Sequence, residues 1–327
     1  MAMTIPVLDF RRYRSDLAGF ARDLGAAWRT LGFVAIRDHG VSEALIEGAY
    51  AEVRAFFDLP LESRIAYELP GAGGARGYTR FGVEHAKDSK QVDLKEFWHV
   101  GRELGPDSPY LGLYPANVWP RELPAFRPRL LGLFSVLERV GNALLRAGAR
   151  HLGIADGYFE DKVDHGDSIL RPIHYPPIAA GSDPDGMRSA QHEDINLITL
   201  LVASGEPGLE VQSRKGEWVP VATAKGVIVV NVGDMLQRLT NGVLRSTTHR
   251  VVNPPAPACE KSRYSMPFFH HLNPECLIET LPSCICPERP NRYPEPIRAG
   301  DYLRQRLVEI GLLSGGRRGL PSGSRRV

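Results

Sequence analysis

From residue 168 to residue 269 the chain is written in short apolar runs, and no other feature restricts its fold so strongly. Ser168–Tyr175, Leu197–Val202, Leu209–Gln212, Trp218–Val221, Val227–Val232, Thr248–Val252 and Tyr264–Phe269 alternate with Gly, Pro and Asn punctuation. Runs of this length between turn residues predict strands, and many of them at this spacing predict a β-sandwich or jelly roll. Lys215-Gly216, between two of the runs, predicts a tight hairpin turn. No internal repeat is present.

The first half has a different texture. Ile5 to Phe10 reads as a short strand, and Leu17, Phe20, Leu24, Ala27, Trp28 and Leu31 recur at helical spacing over Ser15–Leu31. Gly32 breaks that helix before a strand-like Phe33-Val34-Ala35-Ile36. Ser42 is placed to cap a second helix running through Phe57 and ended by Pro60, and a third spans about Pro124 to Leu152. The expected organisation is a helical cap region over residues 1–165, a jelly-roll core over 166–312 and a basic tail over 313–327. The change near residue 165 marks texture rather than two independently folding units. The tail carries Arg317, Arg318, Arg325 and Arg326 among Gly and Ser, which suits a solvated, frayed end.

Bulk properties exclude several classes. Hydrophobic residues make up 43% and charged residues 24% of the 327, as expected of a globular chain that buries a core. Forty Lys and Arg against 38 Asp and Glu leave a net charge of +2, too balanced for a nucleic-acid binder. No apolar run approaches the roughly 18 residues that cross a bilayer, and charges follow the N-terminus at once, so the expectation is a cytoplasmic chain. Cys259, Cys276, Cys284 and Cys286 lack a zinc-knuckle spacing and are expected as reduced thiols.

Two short motifs carry chemistry. In Gln191-His192-Glu193-Asp194-Ile195-Asn196-Leu197, side chains two apart on an extended chain share a face, roughly 6.6 Å apart. An imidazole and a carboxylate can therefore converge on one ion, and His249, ahead of Arg250-Val251-Val252, is the candidate third ligand. Two His and one carboxylate leave open positions on an octahedral metal, the facial triad of non-haem Fe(II) oxygenases. His-x-Asp alone equally describes a hydrogen-bonded surface pair. The second motif, Arg263-Tyr264-Ser265, puts a guanidinium and a hydroxyl on one strand face within an apolar segment. A guanidinium inside a barrel needs an anion, either a carboxylate ligand or an internal Asp or Glu. Tyr175 can add a hydroxyl to the same anion.

With these residues in place the chain resembles the isopenicillin N synthase-like branch of the 2-oxoglutarate/Fe(II)-dependent dioxygenases. Ile5-Pro-Val-Leu-Asp-Phe10, Gly32-Phe-Val-Ala-Ile-Arg-Asp-His-Gly40 and Phe56-Phe-Asp-Leu-Pro60 resemble the branch's N-terminal signature. His192-x-Asp194, Asn231-Val-Gly-Asp234, Thr240-Asn-Gly242, His249-Arg250-Val251 and Arg263-x-Ser265 follow in the family's order. The resemblance implies a mainly β fold with α additions, a double-stranded β-helix (cupin-like jelly roll) beneath an N-terminal helical region. It implies Fe(II) on His192, Asp194 and His249, and 2-oxoglutarate bound through Arg263 and Ser265 with Tyr175 assisting. It implies O2 as oxidant, succinate and CO2 as co-products, and oxidation of a C–H bond by hydroxylation, desaturation or cyclisation. Ile173-His174-Tyr175-Pro176 departs from the Asn-Tyr-Tyr-Pro of many plant members, so the auxiliary co-substrate contacts differ. His174 should face away from Tyr175's side by strand alternation, and His270 and His271 should close the barrel rim.

For the substrate, the resemblance implies that the Gly-flanked stretch Gly73-Gly74-Ala75-Arg76-Gly77-Tyr78-Thr79-Arg80-Phe81 and the segment Leu94-Lys-Glu-Phe-Trp-His99 border the barrel mouth. Arg76, Tyr78, Arg80 and Phe81 are the candidate substrate residues. The expected partner is a small molecule, specialised-metabolite or amino-acid-derived, with antibiotic biosynthesis among the possible settings, and the chain can act as a monomer without nucleic-acid or membrane partners. Three other readings stay open: a same-fold oxidase that does not use 2-oxoglutarate, a zinc hydrolase, and an inactive ligand-binding barrel.

Overall fold

The computed structural model describes residues 4–70, 75–84, 93–178, 186–203, 205–221 and 224–309. The basic tail, Gly73 and Gly74 lie outside the described residues. Two sheets are built from β1 (Val7–Asp9), β2 (Phe33–Arg37), β3 (Gly77–Thr79), β4 (Glu96–Gly101), β5 (Ile169–Leu170), β6 (Ile173–Tyr175), β7 (Ser189–His192), β8 (Ile198–Val202), β9 (Leu209–Gln212), β10 (Trp218–Pro220), β11 (Ile228–Val232), β12 (His249–Val251) and β13 (Arg263–His270). A nine-stranded sheet runs β1-β2-β11-β8-β13-β5-β4-β3, with β6 also pairing β13 and β4, and a four-stranded sheet runs β10-β9-β12-β7. All pairings in these two sheets are antiparallel except β1 with β2.

The period-2 pattern of the strands explains the layering. Ile198, Leu200 and Val202 of β8, Ile228, Val230 and Val232 of β11, and Met266 and Phe268 of β13 join the large core cluster. There they meet Phe20, Leu24 and Trp28 of helix Leu17–Thr30, Val53 and Phe56 of helix Glu43–Phe57, and Leu130, Leu137 and Leu144 of helix Phe126–His151. Each fully buried Leu or Phe contributes on the order of 1.5–3 kcal/mol. The intervening residues, Thr199 and Leu201, Val229 and Asn231, and Arg263, Ser265, Pro267 and Phe269, point the other way into a cavity. The four-stranded sheet closes that cavity with Ser189, His192, Leu209, His249 and Val251. Two antiparallel sheets facing one another over a central cavity are the jelly roll expected from the spacing of the runs.

Local chemistry matches the expected elements with informative exceptions. Gly216 has φ 82° in the β9–β10 hairpin, a left-handed conformation that suits glycine. Ser42 occupies the N-cap position with extended backbone, but its side chain makes no capping bond. Asp16 instead caps helix Leu17–Thr30 through Gly19 N–H at 2.9 Å. The four cysteines are free. No helix among the described residues is long and apolar enough to cross a membrane.

Candidate metal centre

His192, Asp194 and His249 come together at the cavity, their ligand atoms all within 4.8 Å of one another. β7 ends at His192, and Asp194 lies just past the strand end, ahead of a bend over residues 195–197. His249 opens β12 directly across from His192, so pairing of two strands brings the imidazoles together, ring centroids 4.3 Å apart. Each ring is fixed through Nδ1, which donates to a carbonyl two residues upstream: His192 to Ala190 at 2.8 Å and His249 to Thr247 at 3.1 Å. That leaves both Nε2 lone pairs aimed at Asp194 Oδ1, 3.9 and 3.8 Å away.

Asp194 is itself held. Its Oδ2 accepts from the Thr199 hydroxyl at 2.6 Å and from Asn231 Nδ2 at 2.8 Å, which reserves Oδ1 for the shared point. Burial works to raise its carboxyl, but the two imidazoles and these hydrogen bonds outweigh it and keep it below the usual range. Burial and the neighbouring His249 lower His192 and favour the neutral, ligating form. The loop is seated by the Asn231-Val-Gly-Asp234 stretch, where Asp234 N–H donates to the Asp194 carbonyl at 2.8 Å. A Cβ on Gly233 would stand 2.1 Å from Asn196 Oδ1, so only glycine allows that approach. Thr240-Asn-Gly242 serves the scaffold: Asn241, at φ 52°, donates to the carbonyls of Cys284, Arg289 and Pro290.

Arg263, Ser265 and Tyr175 line the same cavity. Tyr175 lies directly across from Arg263 in the β6–β13 ladder, and the guanidinium sits over its ring at 4.8 Å. Arg263 is buried, yet Nε and Nη1 have no hydrogen-bond partner among the described residues. No carboxylate among the described residues bonds these two nitrogens.

The cavity is also lined by two cations that sequence reasoning missed, Lys95 and Arg171. Lys95 pairs with Glu84 at 2.9 Å and Asp93 at 2.7 Å. Arg171 reaches Glu84 at 3.2 Å and bonds His99 through Nε. Burial works to raise Glu84, and the charges of Arg171 and Lys95 outweigh it and hold the carboxyl well below its ordinary range. Strand alternation carried two steps back from Tyr175, through Ile173, points to Arg171. Lys95 lies in the segment expected to border the mouth.

The structure puts the candidate substrate residues elsewhere; none of them is among the cavity-lining side chains. Arg76 is fully buried against Asp167 at 2.8 Å, Tyr78 bonds Glu96, Arg80 pairs with Glu68 at 2.9 Å, and Phe81 is exposed. His174 faces away from the cavity, bonded to Glu96 and Ser262 and stacked on Tyr264. His270 and His271 are buried.

Comparison with known proteins gives this arrangement a family. Residues 5–122 match the N-terminal model of the non-haem dioxygenase in morphine synthesis, and residues 166–272 match the 2OG-Fe(II) oxygenase superfamily. The chain belongs to the 2OG-Fe(II) oxygenases. It is 34% identical to a proline hydroxylase of Petromyces alliaceus, over 94% of this chain and 99% of that one. A 2OG-Fe(II) oxygenase family protein of Caulobacter crescentus shares its structure with a TM-score of 0.87 and 44% identity, over 95% of this chain and all of that one. A full-length Neurospora crassa protein, solved in complex with alpha-KG, superimposes with a TM-score of 0.83 at 30% identity, over 93% and 95% of the two chains. As a 2OG-Fe(II) oxygenase the chain uses Fe(II), 2-oxoglutarate and O2, and its barrel is a double-stranded β-helix. The donor set fits: two imidazoles and one carboxylate for the iron, and, for an anion, a buried guanidinium whose Nε and Nη1 have no partner among the described residues.

Proposed function

We propose that the chain oxidises a C–H bond of a small molecule, with His192, Asp194 and His249 holding Fe(II) and with Arg263, Ser265 and Tyr175 taking the distal carboxylate of 2-oxoglutarate. The observation that carries this reading is the buried Arg263, unpartnered at Nε and Nη1 among the described residues, on the wall of the cavity that contains the three metal-ligand side chains. A zinc hydrolase has no use for that guanidinium. When bound, iron and 2-oxoglutarate supply the oxidising power, and 2-oxoglutarate leaves as succinate and CO2.

The protein's own residues do the rest. Thr199 and Asn231 fix the Asp194 carboxylate so that one oxygen faces the ion. The Ala190 and Thr247 carbonyls fix the imidazole tautomers. Leu201, Leu209, Val229, Val251 and Pro267 give the cavity apolar walls that exclude water from the reacting carbon. Relatives include a proline hydroxylase and a validamycin A dioxygenase, which supports a small-molecule substrate from amino-acid-derived or specialised metabolism, antibiotic biosynthesis included. We place the reaction in the cytoplasm, with no nucleic acid or membrane required and a monomer sufficient.

The test is succinate formation from 2-oxoglutarate by the iron-loaded protein in air. We expect formation that depends on iron and O2, and in Arg263→Ala a 2-oxoglutarate KM raised by at least thirtyfold, about 2 kcal/mol or more for lost charge-assisted bonds. Succinate formation with an unchanged KM in that variant would make Arg263 structural, and none in the wild type would overturn the reading.

A further inference from the structure

Arg171 sits on the cavity wall away from the Arg263 end. The β5, β6 and β13 register is continuous, with Tyr175 opposite Arg263, Ile173 opposite Ser265 and Leu170 opposite Phe268. Arg171 therefore comes level with Pro267, whose carbonyl accepts its backbone N–H at 2.9 Å. Four residues of extended chain, roughly 13 Å, separate it from Tyr175. Two residues separate Pro267 from Phe269, which pairs with Thr199, the residue that holds Asp194. Arg171 thus belongs to the metal end of the cavity.

Its guanidinium is fixed on nearly every side. The rings of Phe97 and Phe269 cover it, 4.4 and 5.1 Å from centroid to Cζ. Nε is bonded to His99 and Nη1 to Glu84. Among the described residues no hydrogen-bond partner is assigned to Nη2, and Arg171 lines the cavity. A planar donor held this way presents one edge in one direction.

Among the described residues, Glu84 and Asp93 are matched at this end by Lys95 and Arg171, while Arg263, with Arg188 buried near it, lies at the other end of the cavity. Because Lys95 and Arg171 are already paired with Glu84 and Asp93, a further carboxylate here would compete with them and stand beside Glu84. A buried charge without a partner is strongly disfavoured, whereas a neutral acceptor on the Nη2 edge is not.

We propose that Arg171 holds a carbonyl oxygen of the prime substrate at the metal end of the cavity, and that this substrate is a compact molecule without net charge. The proposal rests on the oxygenase reading above and goes beyond it to the substrate's chemistry. Phe269, Leu201 and Pro267 provide the apolar contact beside that carbonyl.

Matched pairs of a small carboxylic acid and its primary amide test it, for example 5-oxoproline with 5-oxoprolinamide and N-acetylproline with N-acetylprolinamide. Affinities are measured by titration calorimetry under nitrogen on the iron- and 2-oxoglutarate-loaded protein, where no turnover occurs. Succinate release in air is followed in parallel. The amide of a pair should bind at least tenfold more tightly than its acid and should stimulate succinate release. Arg171→Met should weaken amide binding at least tenfold relative to 2-oxoglutarate binding. Arg171→Lys, which keeps a cation for Glu84 but lacks the second edge nitrogen, should shift it in the same direction. Acids that bind as well as their amides, no amide binding at all, or variants that lose amide and 2-oxoglutarate affinity equally would each overturn the proposal. A wild type that forms no succinate under any condition would overturn the oxygenase reading and this proposal together.

Discussion

Asn231 never touches the shared metal point, yet the side-chain geometry makes it decisive. Its amide and the Thr199 hydroxyl both donate to Asp194 Oδ2, and Asn196 Nδ2 in turn donates to Thr199 at 2.8 Å. Removing such an outer partner typically costs ten- to a hundredfold in metal affinity. Asn231→Leu should therefore bind iron on the order of tenfold or more weakly while keeping its fold, because leucine fills a similar volume between apolar neighbours. Competition against a colorimetric chelator reads this directly, and an unchanged iron affinity would show that Asp194 holds its position without help. At this scale the sequence was most readable where chemistry is rare. A His-x-Asp, a distant His and an Arg-x-Ser in an apolar strand stand out because buried charge is uncommon. Lys95, Arg171, Thr199 and Asn231 were harder to see. Their roles depend on which strands lie side by side, and an Arg or Thr in a short strand looks like any other.

Among the elements, six of the seven apolar runs became strands to within a residue at each end, since alternation is a local property, while Ser168–Tyr175 is split into β5 and β6 around Arg171-Pro172. The strand Ser189–His192 was not visible: Ser, Ala, Gln and His give no apolar rhythm, and its place is set by pairing with β12. The helix Asp234–Leu239 is too short to show a period. One interface between elements yields a prediction that runs against helix propensity. Gly25 lies in helix Leu17–Thr30, where a Cβ would come 2.0 Å from Cγ of His151, the last residue of helix Phe126–His151. Alanine favours an isolated helix by about 1 kcal/mol over glycine. The clash is with the root of the His151 ring, so the two helices must separate, and overpacking of this kind costs roughly 1–3 kcal/mol. Gly25→Ala should therefore lower the urea midpoint despite its better propensity. A midpoint at or above wild type would show that the helix pair slides without loss.

For the whole molecule, β2 pairs with β11 and β4 pairs with β5 and β6, so strands from the first half complete the sheet of the second. Stability is then a property of one assembly, and its pH dependence collects groups from all of it. His270 sits where the sheet meets helix Phe126–His151, a Cβ on Gly141 standing 2.7 Å from its Nδ1, and His271 is buried next to it in the chain. Burial, with Arg102 and His271 nearby, lowers His270 from 6.5 to about 3. Burial lowers His271 to about 4, with Asp167 and Asp194 opposing. Neither His270 nitrogen has a hydrogen-bond partner among the described residues, which fits a neutral ring. Because the folded values lie below the unfolded one, the unfolded chain takes up protons first. The stabilisation is complete above about pH 6.5 and is lost as pH falls below it, by roughly 1.4 kcal/mol per pH unit for each histidine. Asp234 works in the opposite sense. Burial beside Glu193 raises it from 3.8 to about 6, against Ser246 and Arg306, so its destabilisation is relieved as pH falls through 6. The net acid slope between pH 6 and 5 is therefore close to that of a single histidine from this set. Subtraction isolates the group of interest. The difference in unfolding free energy between wild type and His270→Phe should change by roughly 1 kcal/mol between pH 6 and 5, with wild type losing more, because phenylalanine cannot take up a proton when the chain unfolds. Urea titrations of both proteins at pH 7.5, 6 and 5 measure that difference. Parallel loss in the two proteins would mean that His270 accepts its proton inside the fold, with the core opening to water around it.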